Sequence, residues 1–197
     1  MPFIPTEKSN LPGRVRLVTL GCRANQYESQ RALEMLEGAG WTAAAEGEPA
    51  DLCLVNTCTV THDADAKARL TVRRLGRENP GADIGVMGCA TASDAGQMAA
   101  LPGVTAVIDS RADLATQLAR YGVVAPDSGI SRFDHHQRAF LKVQDGCLLD
   151  CAYCIIPKVR PGFGSKPMVA ILEEARRLID AGHREIVLTG IHLGHYG

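Results

Sequence analysis

The chain has no run of eighteen apolar residues, so no segment reads as a membrane-spanning helix. Its start, Met1-Pro2-Phe3-Ile4-Pro5, has neither the basic region nor the apolar core of a secretory signal. The expectation is a cytoplasmic protein with no membrane partner. Charge of either sign is not in excess: 21 basic against 22 acidic residues leave a formal charge of −1. That balance gives no electrostatic footprint of a nucleic-acid binder. Low-complexity tracts are absent, as is any internal repeat beyond a shared βα rhythm. The cysteine count is seven, an odd number that fits a disulfide framework badly. In a reducing compartment these thiols stay free and available to metals.

Three of the cysteines stand close together in Gln144-Asp145-Gly146-Cys147-Leu148-Leu149-Asp150-Cys151-Ala152-Tyr153-Cys154. Thiols spaced C-x3-C-x2-C can hold three corners of a cubane iron–sulfur cluster, and no fourth cysteine follows to close the last corner. A ferredoxin, which passes electrons, closes it; an open corner points to chemistry at that iron. A structural zinc site or a redox C-x-x-C pair are the competing readings. Zinc would need a fourth ligand, and His183 and His192 lie well downstream.

Apolar β-branched runs alternate with helical patterns, the mark of a parallel α/β sheet. Strands are expected at Val15–Leu20, Asp51–Asn56, Ile84–Met87 and Val104–Asp109. Helices are expected at Gln26–Ala39, Ala64–Glu78, Ala95–Leu101 and Leu114–Tyr121. Residues 122–138, with Pro126, Asp127, Ser128 and Gly129, read as a linker, and His135 and His136 within it as solvated loop residues. A second βα pattern then starts: strand Ala139–Val143, the cysteine loop, helix Met168–Ala181 with apolar positions at Val169, Leu172, Ala175 and Ile179, and strand Glu185–Thr189. The expected organisation is a domain over 1–121, a linker over 122–138 and a second unit over 139–197.

Cys22, Cys58 and Cys89 each fall where an expected strand ends, in Leu20-Gly21-Cys22, Asn56-Thr57-Cys58 and Gly88-Cys89. The carboxyl ends of parallel strands face one crevice. Glycine before two of the three lets backbone approach a bulky object. Three thiols converging there make a second cluster site with an open corner. Cys53 is off this pattern and reads as a small buried hydrophobe.

The C-x3-C-x2-C loop, with Tyr153 before its last cysteine, resembles the radical S-adenosylmethionine superfamily. The two triplets in this order resemble its methylthiotransferases. The carrying motifs are Leu20-Gly21-Cys22-Arg23-Ala24-Asn25-Gln26-Tyr27-Glu28-Ser29, Asn56-Thr57-Cys58-Thr59-Val60-Thr61, Gly88-Cys89 and the loop running into Ile155-Ile156-Pro157. Asn25-Gln26-Tyr27-Glu28-Ser29 and the stretch through Ala64-Asp65, Lys67 and Arg69 are most similar to the subgroup that modifies threonylcarbamoyladenosine beside the tRNA anticodon. Two departures stand out. Ala90-Thr91-Ala92 replaces the family's tyrosine-alanine-glutamine, and where the family has an arginine-rich segment, Lys158-Val159-Arg160-Pro161-Gly162-Phe163-Gly164-Ser165-Lys166 has a single arginine, with the charges of Arg160 and Lys166 standing out.

The resemblance implies an open parallel sheet with flanking helices, followed by the first βα units of an incomplete radical-SAM (β/α) barrel. Family members continue through the rest of that barrel and a small RNA-binding domain. The resemblance therefore implies a fragment, or a truncated form, of such an enzyme. It implies two [4Fe-4S] clusters, on Cys22, Cys58 and Cys89 and on Cys147, Cys151 and Cys154. S-adenosyl-L-methionine would sit on the open iron of the second, beside Tyr153, Thr189 and Gly190. A deoxyadenosyl radical would take hydrogen from adenosine, and a methylthio group would enter at C2. The implied partners are tRNA, an electron donor such as a flavodoxin or ferredoxin, and a sulfur source. Arg69, Arg73 and Arg77 recur at helical spacing as either a solvated face or a contact for tRNA phosphates. Asn25 reads either as a helix cap or as a donor to a cluster sulfur. A non-catalytic iron–sulfur protein relaying sulfur or electrons is the alternative function, and a purely structural α/β domain a third.

Overall fold

The structure is a computed structural model describing residues 12–59, 62–109, 113–124, 128–134 and 136–197. It begins with strand β1 (Arg14–Thr19), helix α1 (Arg23–Gly38), the two-residue β2 (Thr42–Ala43), β3 (Leu52–Thr57) and α2 (His62–Glu78). β4 (Asp83–Gly88), the short helices α3 (Cys89–Ser93) and α4 (Ala95–Ala99), β5 (Val104–Val107) and α5 (Leu114–Leu118) follow. The five strands form one sheet in the order β2-β1-β3-β4-β5, each pairing parallel. Central β3 is buried along its whole length, which is why Leu-Cys-Leu-Val reads as a continuous apolar run rather than an alternating one. The order in which strands are added reverses between β1 and β3, the position where open α/β sheets bind ligands at their carboxyl ends.

Local chemistry sets the boundaries. α1 stops where Gly40 takes φ 95 and Trp41 N returns to Leu36 O at 3.0 Å, a glycine-terminated helix end. α2 ends at Asn79, whose side chain donates to Leu75 O and accepts from Ala50 N; Pro80 follows and cannot continue the helix. Asp94 and Asp113 cap α4 and α5 by accepting from Gln97 N and Thr116 N. One apolar cluster, including Leu36, Trp41, Leu54 and Leu118, covers one face of the sheet. Another, with Cys53, Val72, Val86 and Met98, covers the opposite face.

The second part pairs β6 (Arg138–Lys142) parallel with β9 (Glu185–Thr189), joined through helix α7 (Met168–Asp180). Between β6 and α7 the chain makes a hairpin excursion. β7 (Gln144–Gly146) pairs antiparallel with β8 (Phe163–Ser165), and the cysteine loop and helix α6 (Ile156–Val159) lie between them. α1 serves both parts: Tyr27 enters a third apolar cluster with Ile130, Phe133, Leu141, Ile171 and Leu178. Residues 128–134 run along α1, where Glu34 accepts from Ser131 N and Arg132 N.

The fold class is the expected one, an α/β parallel sheet with flanking helices, but several elements differ from the sequence reading. α1 starts at Arg23, not Gln26, because Cys22 takes the N-cap position. α3 and the β7–β8 hairpin were not expected: Cys-Ala-Thr-Ala-Ser, Gln-Asp-Gly and Phe-Gly-Ser have no hydrophobic period. α7 turns Ile171, Glu174 and Leu178 inward and leaves Val169, Leu172 and Ile179 exposed.

Candidate metal centres and the buried ion network between them

Cys22, Cys58 and Cys89 lie just past the carboxyl ends of β1, β3 and β4, neighbours in the sheet. Cys22 is exposed, Cys58 half-buried and Cys89 buried. A polar cluster ties their strand ends together. Cys22 Sγ donates to Asn25 Oδ1 at 3.2 Å, and Asn25 Nδ2 donates to Asn56 Oδ1 and Thr57 O at 2.8 and 3.1 Å. Asn56 Nδ2 donates back to Asn25 O and Ser29 Oγ. Asn25 is therefore no helix cap: it sits inside the first turn of α1, fully buried. Thr57 Oγ1 donates to Met87 O at 2.7 Å, linking β3 to β4. Before Cys89, Gly88 has φ 95, and a Cβ there would run into Asn56 Oδ1 and Thr57 O. A close approach of backbone at a left-handed position requires glycine.

In the second triplet Cys147 and Cys154 are half-buried and Cys151 is exposed, with Cys154 N donating to Cys151 O at 3.0 Å. Tyr153 projects into solvent, 95% exposed. At the base of the loop Gly146 has φ 75, and a Cβ on it would collide with Gly162 O. The residue that joins this loop to Thr189-Gly190 is Gln144. Its buried Oε1 accepts from Ile191 N and His192 N at 2.9 and 2.8 Å. Its Nε2 donates to Gly146 O and Asp145 O at 2.6 and 2.9 Å. Thr189 O accepts from Val143 N at 2.9 Å. The structure thus brings Thr189 and Gly190 beside the foot of the cysteine loop.

Among the described residues no three Cys, His, Asp or Glu side chains converge on a single ion position. A cubane does not ask for that convergence, since it takes each thiolate on a different iron. Two sets of three thiols with glycine-cleared backbone fit such a donor set.

Between the triplets lies an ion network that sequence reasoning missed. Arg160, 5% exposed, donates from Nη1 and Nη2 to Glu28 Oε1 and Oε2 at 2.7 and 3.0 Å. Its Nη1 also reaches Asp145 Oδ1 at 3.0 Å. Lys142 Nζ donates to Glu28 Oε1 and Asp145 Oδ2, both at 2.7 Å. Burial alone would raise both carboxyls, but Lys142 and Arg160 overcome it and hold Glu28 and Asp145 below their ordinary range. Burial pushes the Cys89 thiol up, and the neighbouring Arg160 guanidinium partly offsets the rise. Lys166 pairs with Glu174 and donates to Tyr27 Oη at 2.8 Å; Tyr27 in turn donates to Glu174 Oε1 at 2.7 Å. The two charges that stood out in the segment after Pro157 therefore both close bonds onto α1. Glu28 sits in the motif Asn25–Ser29, and its neighbour Tyr27 faces the other carboxylate; a charged residue inside an otherwise buried helix stretch was the signal available.

The remaining candidates are dispersed. Arg69 Nη2 donates to Gln97 Oε1 at 2.8 Å, while Arg73 and Arg77 are exposed on α2. His136 is exposed against the rings of Phe133 and Phe140; His135, Val60 and Thr61 lie outside the described residues, as does the side chain of Asp65. Cys53 is fully buried, with its thiol pushed up to about 11 by burial.

Residues 14–109, the stretch holding the first triplet, match the model of the uncharacterized protein family UPF0004. The threonylcarbamoyladenosine tRNA methylthiotransferase MtaB of Chlamydia pneumoniae is 40% identical over 95% of this chain and 45% of its own length. The chain belongs to the radical S-adenosylmethionine methylthiotransferases. Within that family, the ribosomal protein uS12 methylthiotransferase RimO of Roseiflexus is 32% identical over 93% of this chain and 47% of its own. The chain spans about half the length of the curated relatives it matches. A radical S-adenosylmethionine methyltransferase structure, TsrM of Kitasatospora setae, shares the fold with TM-score 0.53 at 13% identity, over 92% of this chain and 48% of that one. No described helix is long and apolar enough to cross a membrane.

Proposed function

We propose that this chain carries both cysteine centres of a tRNA methylthiotransferase that places a methylthio group at C2 of N6-threonylcarbamoyladenosine next to the anticodon. Residues 1–121 would form the domain of the first cluster, 122–138 the connection, and 139–197 the start of the radical domain. Cys22, Cys58 and Cys89 would ligate one [4Fe-4S] cluster and Cys147, Cys151 and Cys154 the other. The observation that carries this reading is the pair of three-thiol sets, each one ligand short of closing a cubane and each set on glycine-cleared backbone. The substrate rests on the likeness to the threonylcarbamoyladenosine relative, at 40% identity against 32% for the relative that acts on uS12.

Cys147, Cys151 and Cys154 would hold the cluster and S-adenosylmethionine that, given one electron from a reductant, would supply hydrogen-atom abstraction from an unactivated carbon, which no side chain offers. The protein's part is placement. Gln144 fixes the amides of Ile191 and His192 against the foot of the cysteine loop, where Thr189 and Gly190 would line the cofactor. Tyr153, free in solvent, has a ring face to offer an adenine. Asn25 sets the Cys22 sulfur against the β3 end. Arg73 and Arg77, exposed on α2, would meet tRNA phosphates, with Arg69 on the same helix. Electrons would come from a flavodoxin or ferredoxin and sulfur from a separate donor, in the cytoplasm.

The test is nucleoside mass spectrometry of tRNA from cells lacking their own threonylcarbamoyladenosine methylthiotransferase, complemented with this protein. The methylthio product should appear and vanish with Cys151→Ala. Product that persists in that variant sinks the radical assignment, and modified uS12 with unmodified tRNA sinks the substrate.

A further inference from the structure

Arg160 belongs to the second cysteine unit, where it ends α6, yet it lies beside Cys89 of the first, at a place where α3 packs on α6. Its guanidinium cannot turn freely. Glu28 grips Nη1 and Nη2 end-on, and Asp145 takes Nη1 a second time. Those bonds leave the side edge of the fork over, and Nε on that edge is buried with no acceptor among the described residues. A buried donor left unpaired is costly and calls for an explanation. A Cys89 thiolate is the acceptor at hand: the residue is 3% exposed, and a cysteine sulfur is anionic when it ligates metal.

Resting on the reading that Cys22, Cys58 and Cys89 hold a cluster, we propose that Arg160 donates an N–H···S hydrogen bond to Cys89 and so raises the reduction potential of the first centre. Hydrogen bonds to cluster sulfurs and adjacent positive charge favour the reduced, more negative state. The surrounding charges do not erase the effect. Glu28 and Asp145 are balanced by Lys142 and Arg160 together, so the network is close to neutral and the directed donor acts on the sulfur alone. The radical unit thereby supplies an electronic contact to the other centre as well as a mechanical one.

The experiment is a redox titration of the first cluster, followed by electron paramagnetic resonance, in reconstituted protein whose second triplet is removed by Cys147→Ala/Cys151→Ala/Cys154→Ala. Arg160→Lys keeps a cation for Glu28 but removes the planar side edge. Glu28→Gln/Arg160→Gln removes the buried cation and its main anion together, avoiding an orphaned charge. The midpoint should move to lower potential in both, further in the double variant, with iron per chain unchanged. A wild-type midpoint in Arg160→Lys overturns the directed bond, and an unmoved midpoint in the double variant overturns any tuning by Arg160. Absence of Cys22-dependent iron from the parent protein overturns the cluster reading itself, and this inference with it.

Discussion

Two buried cysteines show how far a residue's surroundings decide its chemistry. Cys53, on β3, faces the apolar cluster with Val72 and Val86, and burial lifts its thiol to about 11. Between about 9 and about 11 the unfolded thiol ionises while the folded one does not, so this residue's contribution to stability fades as pH rises through that window. In the native apoprotein Cys53 should resist iodoacetamide at pH 8 while Cys22 and Cys151 are modified; mass spectrometry of the labelled peptides checks this. Cys89 is as buried but has Gly88 before it and Arg160 beside it. Gly88→Ala puts a side chain at φ 95 against Asn56 and Thr57, and should cost roughly 2 kcal/mol or more. Denaturant unfolding reads that cost, and Cys22-dependent iron should be lost with it. Both positions were legible beforehand: one cysteine lies within a strand, the other after a glycine at a strand's end. Arg160's partners were not legible, because its acceptors are remote in sequence.

At the scale of elements, α1 and the β7–β8 hairpin position the site. α1 was legible by period, but its inward charged residues were not, since one sequence cannot show that Glu28 meets Lys142 and Arg160 from another unit. Glu28 and Asp145 titrate below their ordinary range in the folded chain. Their contribution is therefore present above the ordinary carboxylate range, near 4, and is lost as pH falls through the lower folded values. Acid unfolding of the apoprotein should be less steep in Glu28→Gln/Arg160→Gln than in the parent; equal steepness would assign the acid sensitivity to other groups. The hairpin escaped the sequence because three-residue strands with Gly, Asp and Gln carry no alternation. Its anchor, Gln144, bonds four backbone groups. Gln144→Ala leaves two half-buried amides unpaired and should lower stability by about 1–3 kcal/mol, seen as a lower denaturant midpoint at unchanged slope. Gln144→Glu keeps the acceptor and should recover part of the loss.

Across the whole molecule, α1 lies in two apolar clusters at once, Leu36 in the first and Tyr27 in the third. Ion pairs from Glu28 on this helix bind it to Lys142 and Arg160 of the cysteine-loop unit. The sheet and its carboxyl-end cysteines followed from hydrophobic period and spacing alone. The ion network joining α1 to the cysteine-loop unit did not, because its contacts are separated by more than a hundred residues. Two separate clusters held by two separate triplets are the central claim. The direct measurement is iron and acid-labile sulfide per chain after anaerobic reconstitution, with Cys22→Ala and Cys151→Ala alongside. About eight irons, falling by half in each variant, is the predicted result for two cubanes. About four irons, lost with one variant and untouched by the other, would contradict it.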